Sequence, residues 1–176
     1  MTRLEIGGRT MTLRRLELAG HAEVCARIMS TSEPWVTLGR DFDASLAVMT
    51  ASDHEAYVVL DDEEVAGFVV LCMHGALVGY LKSIAVHADW RSRGLGRQLM
   101  AFAEDRIFRE AANVFLLVSS FNAGARQLYH RMGYRLVGEL TDYWLPGHSE
   151  LLLRKTRGPI GMGPAPSREL ARNART

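Results

Sequence analysis

Residues 80–100 read YLKSIAVHADWRSRGLGRQLM, and the fold turns on how this stretch divides. The mostly apolar run that closes at Val86 reads as the end of a strand. After Arg91, residues Leu95, Leu99, Phe102 and Arg106 share one helical face, with Met100, Ala103 and Ile107 beside it. Between strand and helix lies Arg91-x-x-Gly94-x-Gly96. A helix that starts here offers free backbone N–H groups and the positive end of its dipole. Glycines let an anion come close to that backbone. Arg91, Arg93 and Arg97 add charge and fork-shaped donors. The loop therefore suits a diphosphate. A solvated glycine turn would show the same pair of glycines. There is no GxxxxGK[ST], the spacing is not GxGxxG, and no βαβ unit opens the chain, which argues against a nucleotide P-loop or a dinucleotide fold.

The rest of the chain is read outward from this loop. Met11 to Leu18 alternates as a strand, with a shorter strand at Leu4–Ile6 across the Gly7–Gly8 turn. Residues 20–30 read as a helix that Pro34 stops, and Asp43 is expected to cap a second one. Ala56–Leu60, Val65–His74 and Ala76–Val86 read as an antiparallel meander turning at Asp61–Glu64 and Gly75. The helix after Gly94 is expected to end at Asn113, and Val114–Val118 is a short buried strand. Asn122 caps a helix running to about Met132 and closed by Gly133. Tyr134–Leu140 and Glu150–Leu153 finish as strands. The expected order is β-α-α-β-β-β-α-β-α-β-β, an α/β (α+β) fold on a mixed sheet. One parallel pairing falls across the helix from Gly94.

The chain has 176 residues, 48% of them hydrophobic and 23% charged, as expected of one globular domain with a real core. We assign residues 1–156 to that domain and 157–176, rich in Gly, Pro and Arg, to a flexible basic tail. Net charge is +1, and the tail holds four arginines against one glutamate. The domain itself has no basic excess that would mark a nucleic-acid binder. No apolar run is long enough to cross a bilayer and the start lacks a secretory layout, so a cytoplasmic location is expected. Cys25 and Cys72 read as small buried residues, and no metal site is expected.

The run IAVHADWRSRGLG, residues 84–96, resembles the acyl-CoA loop of the GNAT superfamily of N-acetyltransferases, [Q/R]-x-x-G-x-[G/A] directly after a strand. Residues 118–134, VSSFNAGARQLYHRMGY, are similar to the family's second motif, in which Asn opens a helix and Tyr follows seven residues on. The resemblance covers roughly residues 10–155. Within that family the chain resembles the ribosomal-protein alanine acetyltransferases.

The resemblance implies acetyl-CoA as donor co-substrate and a primary amine as acceptor: a protein N-terminus, a lysine or a small molecule. It implies that the pantetheine arm lies between two splayed parallel strands, here those ending at Val86 and Val118. Ile84, Ala85 and Val86 would supply backbone groups, one N–H facing the acetyl oxygen. Arg91, Ser92, Arg93, Gly94, Leu95, Gly96 and Arg97 would hold the diphosphate, with Asn122, Ala125 and Tyr129 across the cleft. Tyr129 lies nearly two helical turns from Asn122, on a similar side, and would protonate the departing thiolate. The alanine acetyltransferases carry a glutamate where this chain has Leu117. His74, His148, Glu150 and Glu33 are the candidate substitutes, and Lys82 and Ser83 are polar residues on the strand beside the acyl group. Trp35 on one side and Tyr143, Trp144 and His148 on the other would wall the acceptor. The family often dimerises through sheet edges or C-terminal strands, so a homodimer is also implied. Leu117 keeps open a different class, a non-catalytic acyl-CoA sensor. The tail's arginines leave an RNA-binding accessory as a third.

Overall fold

The strand Glu64–Cys72, sequence EVAGFVVLC, is buried from Val65 to Leu71, and such a continuous apolar run belongs in the middle of a sheet covered on both faces. The computed structural model describes residues 1–160 and places this strand fourth of eight. The strands are β1 (Thr2–Ile6), β2 (Arg9–Arg15), β3 (His54–Asp61), β4 (Glu64–Cys72), β5 (Tyr80–Val86), β6 (Asn113–Ser119), β7 (Arg135–Thr141) and β8 (Ser149–Thr156). The helices are α1 (Ala19–Ser30), α2 (Phe42–Thr50), α3 (Leu95–Phe108) and α4 (Ala123–Arg131), with a 3-10 turn at Ala88–Trp90. The sheet order is β1-β2-β3-β4-β5-β6-β8-β7. Every neighbouring pair is antiparallel except β5 with β6. The fold is thus the mixed α/β sheet read from the sequence, with both N-terminal strands formed.

Two apolar layers hold it. Leu95, Leu99, Met100, Ala103 and Ile107 of α3 pack with Leu4, Met11, Val69 and Leu116 on one face. Ala22, Cys25 and Met29 of α1 and Val48 and Met49 of α2 pack with Val58, Phe68 and Val70 on the other. Burial of this kind contributes about 25 cal/mol per Å² of apolar surface. Burial also pushes the Cys25 thiol up to about 12, so it behaves as a small core residue. Among the described residues no helix is long and apolar enough to cross a membrane, and no cluster of three or more His, Cys, Asp or Glu is placed to hold a metal.

The local corrections have physical causes. The cap of α2 is Asp41, not Asp43: Asp41 Oδ1 accepts from the Ala44 N–H at 2.8 Å. Asp43 sits in the first turn, where its charge meets the helix dipole. The third meander strand begins at Tyr80 rather than Ala76, because Gly79 has φ +84° and breaks the extended backbone. Its N–H donates to the Cys72 carbonyl at 3.2 Å and its carbonyl accepts from Phe115 N at 3.0 Å. Helix α3 ends at Phe108, closed by Glu110 N and Ala111 N on the Ile107 carbonyl, and Asn113 is already in β6. Arg157, the first residue assigned to the tail, donates its N–H to the Ala112 carbonyl, with its guanidinium 4.1 Å from the centre of the Phe108 ring. Residues 161–176 of that tail lie outside the described residues.

Candidate active site

The site begins with one extra residue. Along β4 and β5, Leu71 pairs with Leu81 and Val70 with Ser83, so Lys82 has no partner. Such a bulge bends its strand and increases its twist. The parallel pairing of β5 with β6 consists of Tyr80 with Phe115 and Leu81 with Leu116, and stops where the bulge begins. Beyond it, the edges of β5 and β6 that face each other carry no strand-to-strand hydrogen bonds. They open into a cleft of about 500 Å³.

One wall is β5, where Ile84, Ala85 and Val86 line the cleft. The other comes from β6 and α4. Asn122 caps α4, its Oδ1 accepting from Ala125 N at 3.2 Å, and Asn122, Ala125 and Tyr129 all line the cleft. Tyr129 is 7% exposed, and its ring packs 5.8 Å from that of Tyr134. Burial pushes its phenol up to about 12, so it keeps its proton near neutrality.

The loop before α3 has the local form that an anion site needs. Gly94 is the N-cap of α3 in a left-handed conformation, φ +89°, and Ser92 is also left-handed at φ +59°. An added Cβ at Gly94 would meet no atom within 4 Å, so the approach to the helix end is open. Gly96 lies over Val86. Leu95 is fully buried in the core and anchors the start of α3. Arg93 and Arg97 are exposed, and the Arg93 guanidinium stands 4.9 Å over the Trp90 ring. Arg91 is held more firmly: its Nε donates to the Val86 carbonyl at 3.2 Å and its Nη2 to Ser32 Oγ at 3.1 Å. It is the member of this loop that also lines the cleft.

At the far end, Trp35 and Trp144 line the cleft and Tyr143 and His148 do not. Tyr143 stacks edge-on against Trp144 at 5.2 Å, and His148 does the same against Phe121. Arg40 lies 5.6 Å over the Trp144 ring, linking the loop after α1 to the loop before β8. Of the four substitutes for the absent glutamate, Glu33 and Glu150 line the cleft and His74 and His148 lie outside it. Sequence reasoning did not single out Ser32, Arg40 or Ser119. Each lies in a loop or at a strand end, where no period marks a side chain as facing a ligand.

Residues 22–134 match the model of the acetyltransferase (GNAT) family. The chain is 34% identical over 110 residues to an uncharacterized N-acetyltransferase of Methanocaldococcus jannaschii, covering 61% of this chain and 69% of that one. It is 36% identical over 88 residues to the blasticidin-S acetyltransferase of Streptomyces morookaense, covering 46% of this chain and 64% of that one. The matched regions thus span about two thirds of each relative. The crystal structure of the ribosomal-protein-S18-alanine N-acetyltransferase from Escherichia coli shares the fold, with TM-score 0.67 and 18% identity over 88% of this chain and 99% of that one. With a family model whose match holds both motifs, the chain belongs to the GNAT family of acetyltransferases and is an acyl-CoA-dependent N-acetyltransferase.

Proposed function

We propose that this chain transfers the acetyl group of acetyl-CoA to a primary amine by direct attack within a ternary complex. The observation that carries this reading is the parting of β5 and β6 after Leu81 and Leu116, beside an open helix N-terminus. Two unpaired strand edges suit an extended, amide-bearing chain such as pantetheine, which would pair with the backbone of Ile84, Ala85 and Val86. The N-terminus of α3, with Arg91, Ser92, Arg93, Gly94, Leu95, Gly96 and Arg97, suits the diphosphate.

The chemistry follows from what the walls present. The amine lone pair attacks the thioester carbon, and the C–S bond then breaks. A backbone N–H of β5 stabilises the oxyanion between those steps. Tyr129, protonated near neutrality, gives its proton to the sulfur as it leaves. The acceptor enters between Trp35 and Trp144, with Tyr143 and His148 supporting that loop. A cleft of about 500 Å³ that also holds the pantetheine arm suits a slender acceptor, either a small molecule or a chain end. The similarity to the blasticidin-S enzyme supports the small molecule. The outermost strand β7 exposes Leu136 (61% exposed) and Val137, and we place a homodimer contact there, readable as a doubled mass in sedimentation.

The test is release of free CoA thiol from acetyl-CoA in the presence of a panel of amines: an alkyl diamine, an aminated nucleoside and an alanyl peptide. Amine-dependent thiol release with an acetylated product supports the reading. Acetyl-CoA that binds but is consumed no faster with any amine contradicts it.

A further inference from the structure

Three glutamates of this fold are buried or nearly so, and two of them are neutralised. Glu55 is gripped by Arg106, Nε at 2.9 Å and Nη2 at 2.6 Å, with Arg15 beside it. Glu104 pairs with Lys155 at 2.5 Å. The third, Glu150, has no such partner. It is 4% exposed, yet no lysine, arginine or histidine among the described residues forms an ion pair with it. Its one side-chain hydrogen bond among the described residues comes from the Ser119 hydroxyl, which donates to Oε1 at 2.5 Å, and Oε2 accepts none from a described residue. A buried carboxylate without a counter-ion is costly unless it serves a ligand.

Glu150 lines the same cleft as Tyr129, from the neighbouring strand. In the β6–β8 pairing Ser119 stands opposite Glu150 and Leu117 opposite Leu152. Residues two apart on a strand share a face, as do directly paired residues, so Glu150 is on the face of Leu117 and Ser119. Leu117 is the position at which the alanine acetyltransferases, by resemblance, carry a glutamate.

We propose that Glu150 binds the acceptor ammonium and is the general base of the transfer, with Ser119 as its positioning residue. This rests on the N-acetyltransferase reading above. An ammonium nitrogen sheds two protons on becoming an amide. The first passes to the Glu150 carboxylate and out to water, freeing the lone pair that forms the C–N bond. The second leaves the nitrogen after addition and replaces the proton that Tyr129 gives to sulfur. One proton is released per turnover, and atoms and charge balance. Burial raises the Glu150 carboxyl above the usual carboxylate range, and the Ser119 hydrogen bond opposes that shift. A stronger base results, closer to an amine. The other charged and titratable groups lining the cleft are Glu33, Arg40, Lys82, Arg91, Tyr80 and Tyr129.

The test is Glu150→Gln, which keeps the shape and an acceptor for Ser119. Turnover is expected to fall by about 10²-fold or more, with acetyl-CoA affinity by calorimetry unchanged. The acid limb of the kcat/KM profile should vanish, and Glu150→Asp should restore part of the rate. A Gln variant with parental turnover and acid limb overturns the proposal. A second measurement needs no known acceptor: propylammonium added to protein carrying 13C-labelled glutamate carboxyls. A saturable shift of the Glu150 signal, assigned by its absence in the Gln variant, supports the proposal, and no shift overturns it. Failure of the parent to bind acetyl-CoA at all marks instead the failure of the acetyltransferase reading, and removes the base with it.

Discussion

Leu81 and Leu116 are the last residues at which β5 and β6 are paired, and Lys82, which follows Leu81, has no partner on β4. The cleft thus opens at the position of a single inserted residue. Deleting Lys82 removes the bulge and lets β5 continue alongside β6. The expected result is a folded protein whose acetyl-CoA affinity falls by about tenfold or more, a loss of ~1.4 kcal/mol. Calorimetry with circular dichroism checks it. Parental affinity in the deletion variant would mean that the splay does not depend on the bulge.

Gly79 leads into β5 at the cleft's closed end, where its carbonyl accepts from Phe115 N of β6. It combines a positive φ with the tightest surroundings of any described glycine: an added Cβ would collide with the Asn113 carbonyl and lie 2.6 Å from Ile107 Cγ2. Gly79→Ala therefore adds backbone strain and overpacking together, about 2–4 kcal/mol in sum. For a domain of this size, thermal unfolding should show a midpoint lowered by roughly 5–15 °C. A shift of a degree or less would show that this crossing relaxes freely.

Tyr129→Phe keeps the ring against Tyr134 and removes the hydroxyl. Turnover should fall by about 10²-fold while acetyl-CoA affinity is unchanged. Because burial holds the phenol at about 12, it loses its proton only as the pH rises toward that value. Between about pH 8 and 10, near the range where model tyrosines begin to ionise, the alkaline side of the profile should keep its shape in the variant. An alkaline limb in the parent that disappears in the variant would show a phenol of ordinary pKa.

Much of this arrangement was legible in the sequence, and the parts that were not share a cause. The two motifs announced themselves because backbone conformation restricts residue choice. Asn122 caps α4 through its side chain, and Gly94 and Gly133 both take positive φ at helix ends. The meander was legible from short turns between apolar runs. The bulge at Lys82 was not, because one extra residue leaves the apolar alternation of β5 nearly intact. Asp41 and Asp43 both precede the apolar face of α2, and only the geometry of the Ala44 N–H separates them. Glu150 stood in the sequence as one of four substitutes. Its burial, its lack of a counter-ion and its pairing with Ser119 are tertiary facts that no local pattern carries.

The most direct test of the central claim is calorimetric titration of acetyl-CoA into the parent, Gly94→Asn and Gly94→Asp. Asn and Asp both tolerate the left-handed conformation that position 94 adopts, so the pair differs in charge alone. The account predicts saturable binding to the parent and to Gly94→Asn, and at least ~10-fold weaker binding to Gly94→Asp, where a carboxylate faces the diphosphate. Equal binding by the two variants would contradict a diphosphate seat at the start of α3.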